Sequence, residues 1–492
     1  AGIWADVLGL EHIGIHDNFF DLGGDSILSI QIIARANQAG LKLTPKQLFQ
    51  YQTIAELAAV ADTTSVFHAK QGLVTGEVLL TPIQRWFFEQ EFAESHHWNQ
   101  VILLEVRQPL DQSLLLQVVQ QLLLHHDALR LRFMHSASGW QQVNALLDET
   151  PSCIRVDLSA LPEAKQTSAI EAAATNLQTS LNLESGPLVR VALFDLGPNQ
   201  PNRLLFIVHH LAVDGVSWRI LLEDLQTVYL QLSRGQAISL PPKTTSFQDW
   251  AQTLSKYAQS LALEQELEYW LAQSRSETTS LPIDYSVDKD ANTVASANNV
   301  VVSLSSEQTR ALLSEVPQAY NTQINDVLLT ALVQAFAQWT DTRCLLVDLE
   351  GHGREEILEG VDLSRTLGWF TTVFPVLLNL RKARDPGSAL KLVKEQLRRI
   401  PNRGIGYGLL RYLKGDVAIT EKLQALPQAE VIFNYLGQLD RVLTPDAMFE
   451  AAKESSGPDQ SLLSKRSHLL EINGIVSGGC LHLNWTYSEK VH

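Results

Sequence analysis

The sequence predicts two architectures in series: a small all-α bundle at the N-terminal end, then a larger region of α/β or α+β class. Three observations carry this. The first sixty residues hold a succession of helix starts with their caps. After them, apolar runs of strand length are interspersed with segments of helical periodicity. And 492 residues exceed one ordinary domain, so two or three compact units are expected.

Bulk composition narrows the function classes. Apolar residues make up 45% and charged residues 19%, a globular balance with ample core material. The net charge is -16 with no basic run, which argues against nucleic acid and anionic membrane as partners. No apolar run approaches a spanning helix, and no signal peptide opens the chain. Cys153, Cys344 and Cys480 are far apart and form no CxxC pair. That argues against a zinc knuckle or a disulfide scaffold and suits a reducing cytosol. The chain opens without Met, inside a helix-like AGIWADVLGL, and stops at SEKVH, so a piece of a longer cytoplasmic polypeptide is expected.

Asp17 to Gly40 reads as a loop, a Gly-Gly turn and a helix that begins at Asp25-Ser26, with Gly40 as its C-cap. On these grounds Ser26 is an N-cap serine. A second helix starts at Thr44-Pro45 and a third at Thr53, where Glu56 completes a capping box. The bundle ends near Asp62. Residues 1–62 carry seven acids against three bases, a net of -4, which suits docking to basic patches on partner enzymes. Thr63 to Gly76 loses periodicity and reads as a linker. In LLTPIQRWFFEQ, Pro82 marks a helix start, and Trp86, Phe87 and Phe88 read as core.

The central stretch is RLLFIVHHLAVDGVSWRILLEDL, from Arg203 to Leu225. Leu204 to Val208 reads as a buried strand, His209-His210 stand where it gives out, and Asp214-Gly215 turns the chain. Leu221, Leu225 and Val228 then recur on one helix face. A histidine at such a place titrates near neutrality, about 6.5. Two other pairs are set aside. His125-His126-Asp127 lies on an apolar helix, where adjacent histidines diverge too far to share a metal, so it reads as structural. His96-His97 reads as surface. Ser246 to Gln273 has Trp250, Leu254, Tyr257 and Leu261 at helical spacing and predicts one long amphipathic helix between the halves of the large region. NNVVVSL and NDVLLTALVQAFAQWT supply a strand and a helix beyond it. CLLVDLEGHGREEI then ends a strand (Leu345 to Leu349) at Glu350, a titratable group at a strand end like His210.

An isolated His pair, strand-end carboxylate or capping serine is an ordinary structural feature. The motifs around these three carry more. DLGGDSI resembles the phosphopantetheine attachment motif of peptidyl carrier domains, and HHLAVDGVSW the HHxxxDG signature of the condensation superfamily of nonribosomal peptide synthetases. The trailing SW and EGHGRE resemble its epimerization branch. So do LLTPIQRWFFEQ, SRTLGWFTTVFPV (Arg365, Gly368, Phe370), PNRGIGYGLLRY (Gly404, Gly406, Gly408) and FNYLGQLD (Asn434, Tyr435, Gly437). The resemblance covers residues 1 to 62 as carrier and 77 to 492 as epimerization domain, with lobes of about 77–260 and 261–492.

The resemblance implies a two-lobed α/β domain of chloramphenicol-acetyltransferase type with its active site in a tunnel between the lobes. It implies a 4'-phosphopantetheine arm on Ser26, attached by a separate phosphopantetheinyl transferase, and an Asp25 of the kind that precedes epimerization domains. Upstream adenylation and downstream condensation domains follow as expectations. The implied reaction is L-to-D inversion at the α-carbon of an aminoacyl or peptidyl thioester, through an enolate. Inversion needs acid/base groups on both faces of the substrate, or one group and a water; His210 and Glu350 are the expected pair. Tyr435 is a candidate proton donor. Tyr435, Asn434 and the backbone N–H groups of the helix that Gly215 opens are candidate oxyanion donors. Asp214 is expected to pair with Arg365 to fix the histidine loop, His209 to pack and orient, and Ser217 to belong to the same loop. The GxGxG run lacks dinucleotide spacing and no P-loop occurs, so no nucleotide and no metal are implied. Two other readings stay open: a condensation-type acyl transferase using the same histidine, and a docking module without catalysis.

Overall fold

The computed structural model describes residues 1–492 except 63–68, 138, 148–152, 273–279, 286–290, 359 and 439–447. Those gaps take in part of the expected linker, Gln273, and the last two residues of FNYLGQLD.

The first sixty residues form four helices: α1 (Gly2–Leu8), α2 (Ser26–Gln38), α3 (Pro45–Gln50) and α4 (Ile54–Val60). Their starts follow the local chemistry. Asp25, not Ser26, caps α2: its Oδ1 accepts the backbone N–H of Ile27 and Leu28 at 2.9 and 2.8 Å. A carboxylate outbids the hydroxyl beside it at a positive helix end, and Ser26 becomes the first helical residue. Gly40 follows the end of α2 in the left-handed region, with Leu41 N–H returning to Ala36 O. Thr44 and Gln47 complete a capping box at α3, with Pro45 at its first position. At α4 only half the box forms: Thr53 accepts from Glu56 N–H and its hydroxyl donates to the Glu56 carboxylate. Trp4, Leu8, Phe19, Leu28, Ile32, Leu48 and Leu57 close the bundle's own core.

Among the described residues, the remainder is built on three sheets. In chain order the strands are β1 (Gly76–Val78), β2 (Asn99–Val106), β3 (Leu131–Ser136), β4 (Gly139–Asn144), β5 (Cys153–Asp157), β6 (Val189–Asp195) and β7 (Arg203–His209), then β8 (Ala297–Ser303), β9 (Cys344–Gly351), β10 (Thr372–Asn379), β11 (Val431–Gln438), β12 (Phe449–Ala451), β13 (Leu470–Ser477) and β14 (Cys480–Ser488). A five-stranded sheet runs β12-β2-β7-β6-β5, a six-stranded one β10-β9-β11-β13-β14-β8, and β1-β4-β3 forms a small third. Two large mixed sheets, one in each half of the sequence, give the expected two-lobed α/β architecture. The halves are not cut cleanly: β12 comes from the second half and pairs antiparallel with β2 in the first sheet. Every residue of β7 is buried, as its unbroken apolar run requires.

Helices α5 (Pro82–Glu89), α6 (Gln112–His125), α7 (Glu163–Gln178), α8 (Gly215–Ser233) and α9 (Phe247–Tyr257) follow in order. The single long helix expected over Ser246 to Gln273 is broken. Among the described residues of that stretch, α9 is followed by separate helices at Leu261–Glu264 and Leu267–Ala272, the first capped by the Ser260 hydroxyl, which accepts from Leu263 N–H. The apolar stripe itself fails there, because Leu261 is 75% exposed while Trp270 is fully buried. Among the described residues no helix is long and apolar enough to cross a membrane.

Candidate active site

His209 and His210 divide into a buried orienting residue and a poised one. His209 has no exposure. Its Nε2 meets Ser95 O at 2.9 Å and its Nδ1 accepts Leu211 N–H at 3.2 Å. Phe87 packs edge-on to the ring, and burial lowers its pKa to about 3, so it is a neutral packing group. His210 begins a single turn (His210–Ala212). Its Nδ1 donates to Val213 O at 2.9 Å, and Gln100 Nε2 approaches its Nε2 at 3.1 Å. Trp218 Nε1, which can only donate, gives its hydrogen to Gln100 Oε1 at 2.7 Å. The amide is thereby oriented with its NH2 toward His210. The ring is neutral, with its Nε2 lone pair accepting from the Gln100 amide, and burial depresses its pKa in the same sense. Its face rests on Trp369, centroid to centroid 4.3 Å. Gln100 carries no motif signal of its own, and Trp369 lies within SRTLGWFTTVFPV without being singled out there; the β2–β7 ladder and the chain's return bring them here.

Asp214 caps α8 by accepting Ser217 N–H at 2.7 Å. Its partner is not Arg365. Arg354 Nη2 reaches Asp214 Oδ1 and Oδ2 at 3.1 and 3.3 Å and Ser217 Oγ at 3.2 Å, all buried. Phe370 N–H donates to Asp214 as well, and Ser217 Oγ lies 3.0 Å from Gly368 O. Arg365 sits instead on Asp224 and Glu223, ten residues along α8 and therefore about 15 Å away. The knot around Asp214 and Ser217 ties the 354–370 segment to α8, which sets Trp369 against His210.

Asp224 also bonds His126 Nε2 at 2.9 Å. His125, His126 and Asp224 bring ligand atoms within 4.8 Å of one another, but the Arg365 guanidinium already occupies the carboxylate and would face any cation. The cluster reads as a structural ion-pair network. His96-His97 is not the surface pair that its polar neighbours suggest: His97 is buried with its Nε2 2.9 Å from Pro458 O, and His96 Nδ1 accepts Leu183 N–H at 3.0 Å.

Glu350 stands near the end of β9 opposite Val373 of β10. Asn434 of β11 donates its side-chain amide to Glu350 Oε2 at 2.7 Å. Burial, with the Glu471 carboxylate second, pushes the Glu350 pKa from 4.5 up to about 8. Gly353 follows with φ +64°, and a Cβ there would lie 1.7 Å from Phe370 O, so no other residue fits this position of EGHGRE. Val373, Gly353, Asp348 and Trp369 line a cavity of about 420 Å³ shared with Trp86 and Thr81 from the first half and Gly408 from the second. His210 thus lies against one wall residue and Glu350 beside another, each mounted on a different sheet.

The carrier bundle docks on this domain. Gln438 Nε2 donates to Gly23 O at 2.9 Å, and the Arg403 guanidinium lies 3.8 Å over the Phe49 ring. Ile30 joins the core of the large domain. Ser26 is half-buried at the first position of α2. Asp25 Oδ2, Arg219 Nη1 and Tyr435 Oη are buried without hydrogen-bond partners. The two donors among them, a guanidinium and a phenol beside the attachment serine, fit a phosphate-bearing arm.

Comparison with known proteins agrees with this geometry. Residues 1–61 match the phosphopantetheine attachment site family and residues 74–492 the condensation domain family. One of the proteins that make up the linear gramicidin synthase of Brevibacillus parabrevis is 52% identical over this whole chain, which spans 6% of it. Gramicidin S synthase 1 of Brevibacillus brevis is 43% identical over 99% of this chain, which spans 44% of it. The epimerization domain from the third module of tyrocidine synthetase B has 39% identity and a TM-score of 0.80, covering 86% of this chain and 93% of that one. With a carrier family matched over the N-terminal bundle, a condensation family over the two-lobed domain and this likeness to an epimerization domain, the chain belongs to the epimerization branch of the condensation-domain family, with a phosphopantetheine carrier domain in front.

Proposed function

We propose that this chain inverts the α-carbon of an aminoacyl or peptidyl group carried on Ser26, converting L to D within a nonribosomal peptide synthetase. The observation that carries the proposal is a pair of titratable groups driven in opposite senses by burial. His210 is held neutral, with Nε2 as an acceptor; Glu350, with a pKa near 8, holds its proton at neutral pH. One is ready to take a proton and the other to return one, the division expected of an acid/base pair.

The arm, when attached, presents its cargo as a thioester, which acidifies the α-proton. Once the cargo displaces the Gln100 amide from it, His210 Nε2 takes that proton while the Nδ1–H bond to Val213 O steadies the ring and accommodates the charge. Glu350 supplies a proton at the opposite face, its carboxyl aimed by Asn434. Because the Asn434 amide is committed to Glu350 and the Ser217 N–H to Asp214, the Gly215 and Val216 N–H groups at the start of α8 are the better oxyanion donors. His209, Asp214, Ser217 and Arg354 are positioning residues. The division into carrier 1–62, linker 63–76 and epimerization domain 77–492, with lobes meeting near residue 260, belongs to the same reading. So do the phosphopantetheinyl transferase, an upstream adenylation domain, a downstream condensation domain and a cytoplasmic setting.

The test is chirality. Chain loaded at Ser26 with an L-aminoacyl arm should yield a mixture of L and D on hydrolysis, and His210→Ala and Glu350→Gln should return L alone. Unchanged L from the unaltered chain, with several amino acids and a short peptide, overturns the reading.

A further inference from the structure

The buried, unpartnered polar atoms beside Ser26 come from three separate elements. Asp25 spends Oδ1 on capping α2 and leaves Oδ2 free. Arg219 stands in the second turn of α8, two residues past Ser217, with Nη1 buried and unbonded. Tyr435 comes from β11 with its hydroxyl in the same condition. Asp25 and Arg219 converge on Gly437, whose φ is +80°. A Cβ at that glycine would lie 3.3 Å from Asp25 Oδ2, 3.4 Å from Arg219 Nη2 and 3.2 Å from the Ile27 side chain. The residues on either side of Ser26 therefore both approach Gly437, and Arg219 is beside them. Asp25 and Arg219 are near enough to Tyr435 to act on its ionisation, and burial together with Asp25 raises its pKa. The phenol keeps its hydrogen and remains a donor.

We propose that Arg219 and Tyr435 form an anchoring site for the phosphodiester of the arm on Ser26; the proposal rests on the reading of Ser26 as the attachment point. A buried guanidinium edge with an unused N–H, next to an unused phenol O–H, calls for an anion with several acceptor oxygens. A phosphodiester bonded to the neighbouring serine meets that description; the amides further along the arm carry no charge. Asp25 makes no ion pair with the guanidinium but is near enough to act on its charge before the arm is attached. Gly437 keeps the space between them open. The anchor fixes the root of the arm, so that its length from there determines where the thioester comes to rest.

The test uses the full chain converted to its phosphopantetheinylated form with coenzyme A and left without an amino acid. The readout is the 31P resonance of the phosphodiester. In the unaltered protein it should be displaced and broadened relative to the same protein unfolded in urea. Arg219→Gln should return it most of the way to the unfolded position and narrow the line, Tyr435→Phe should do so in part, and Arg219→Lys should fall between unaltered and Arg219→Gln. A native resonance at the unfolded position, or one that Arg219→Gln leaves in place, overturns the anchor. If Arg219→Gln does not fold, the nearly isosteric Tyr435→Phe and the wedge Gly437→Ala decide by the same readout. The catalytic reading is judged separately: α-carbon inversion with an unanchored resonance sinks the anchor alone, and an anchored resonance without inversion sinks the epimerase reading alone.

Discussion

Asn434 holds Glu350 from the neighbouring strand, its amide nitrogen 2.7 Å from Oε2. The bond favours the ionised carboxylate, so it opposes the burial that lifts the Glu350 pKa to about 8. Replacing Asn434 with Ala removes that opposition. The alkaline limb of the pH-rate profile should move to higher pH, with a rate loss of about 10- to 100-fold from the unaimed carboxyl. A limb that stays put with full rate contradicts the assignment.

Glu350 also links stability to pH. Its pKa is raised from 4.5 to about 8, so the folded chain binds the proton more tightly than the unfolded one. The stability it contributes is complete below pH 4.5 and is lost as pH rises through about 8. Glu350→Gln, which keeps the neutral shape, should be the more stable protein at pH 8.5, by roughly 1–3 kcal/mol after allowance for partial solvent access. Near pH 4.5 the two should match. Thermal melts at the two pH values check this, and parallel curves for both proteins would count against a buried, proton-holding Glu350.

Arg354 and Arg365 separate cleanly by experiment. Arg354→Met leaves Asp214 buried without a counter-ion and should cost about 3–5 kcal/mol, together with a disturbed His210 imidazole signal, because the segment bearing Trp369 is released from α8. Arg365→Met should destabilise through Asp224 and His126 while leaving that signal unmoved. The reverse pattern would restore the Asp214–Arg365 pairing.

Gln100 tests the tautomer. Gln100→Glu places a carboxylate at His210 Nε2, favours the imidazolium and should move the acid limb of the pH-rate profile to higher pH. Gln100→Leu should lower the rate with little change in melting temperature. An acid limb indifferent to both changes would remove Gln100 from the site.

The His125, His126 and Asp224 cluster predicts an absence of metal dependence. Chelator treatment should leave inversion unchanged, since Arg365 already holds the carboxylate. Activity lost to a chelator and restored by zinc would contradict the ion-pair reading.

What the chain showed in one dimension was whatever is local. Caps at Thr44 and Thr53, the strand into His209, Glu350 at its strand end and the DLGGDSI turn could all be read directly, because each rests on neighbours within a few residues. The misses are long-range. Two arginines follow Glu350 within fifteen residues, and only the path of the chain between β9 and β10 decides that Arg354 meets Asp214. Gln100 is one glutamine in an apolar strand until β2 lies beside β7. Arg219 resembles any polar residue on a long helix until the carrier docks on it. The broken helix after α9 failed for a local reason that periodicity hides: a stripe of apolar residues does not say which of them, such as Leu261, stays in water.

The central claim is that His210 and Glu350 serve opposite faces of one α-carbon. Chain loaded at Ser26 with either the L- or the D-aminoacyl arm, incubated in deuterated water and hydrolysed, gives the label and configuration of every molecule by mass and chiral separation. The unaltered protein should place deuterium at the α-carbon and reach the same L/D mixture from either start. Each single variant, His210→Ala and Glu350→Gln, should lose inversion, and any exchange without inversion should survive from only one starting enantiomer, the opposite one in the two variants. Exchange surviving from the same enantiomer in both variants, or inversion surviving in either, would contradict a two-face mechanism built on this pair.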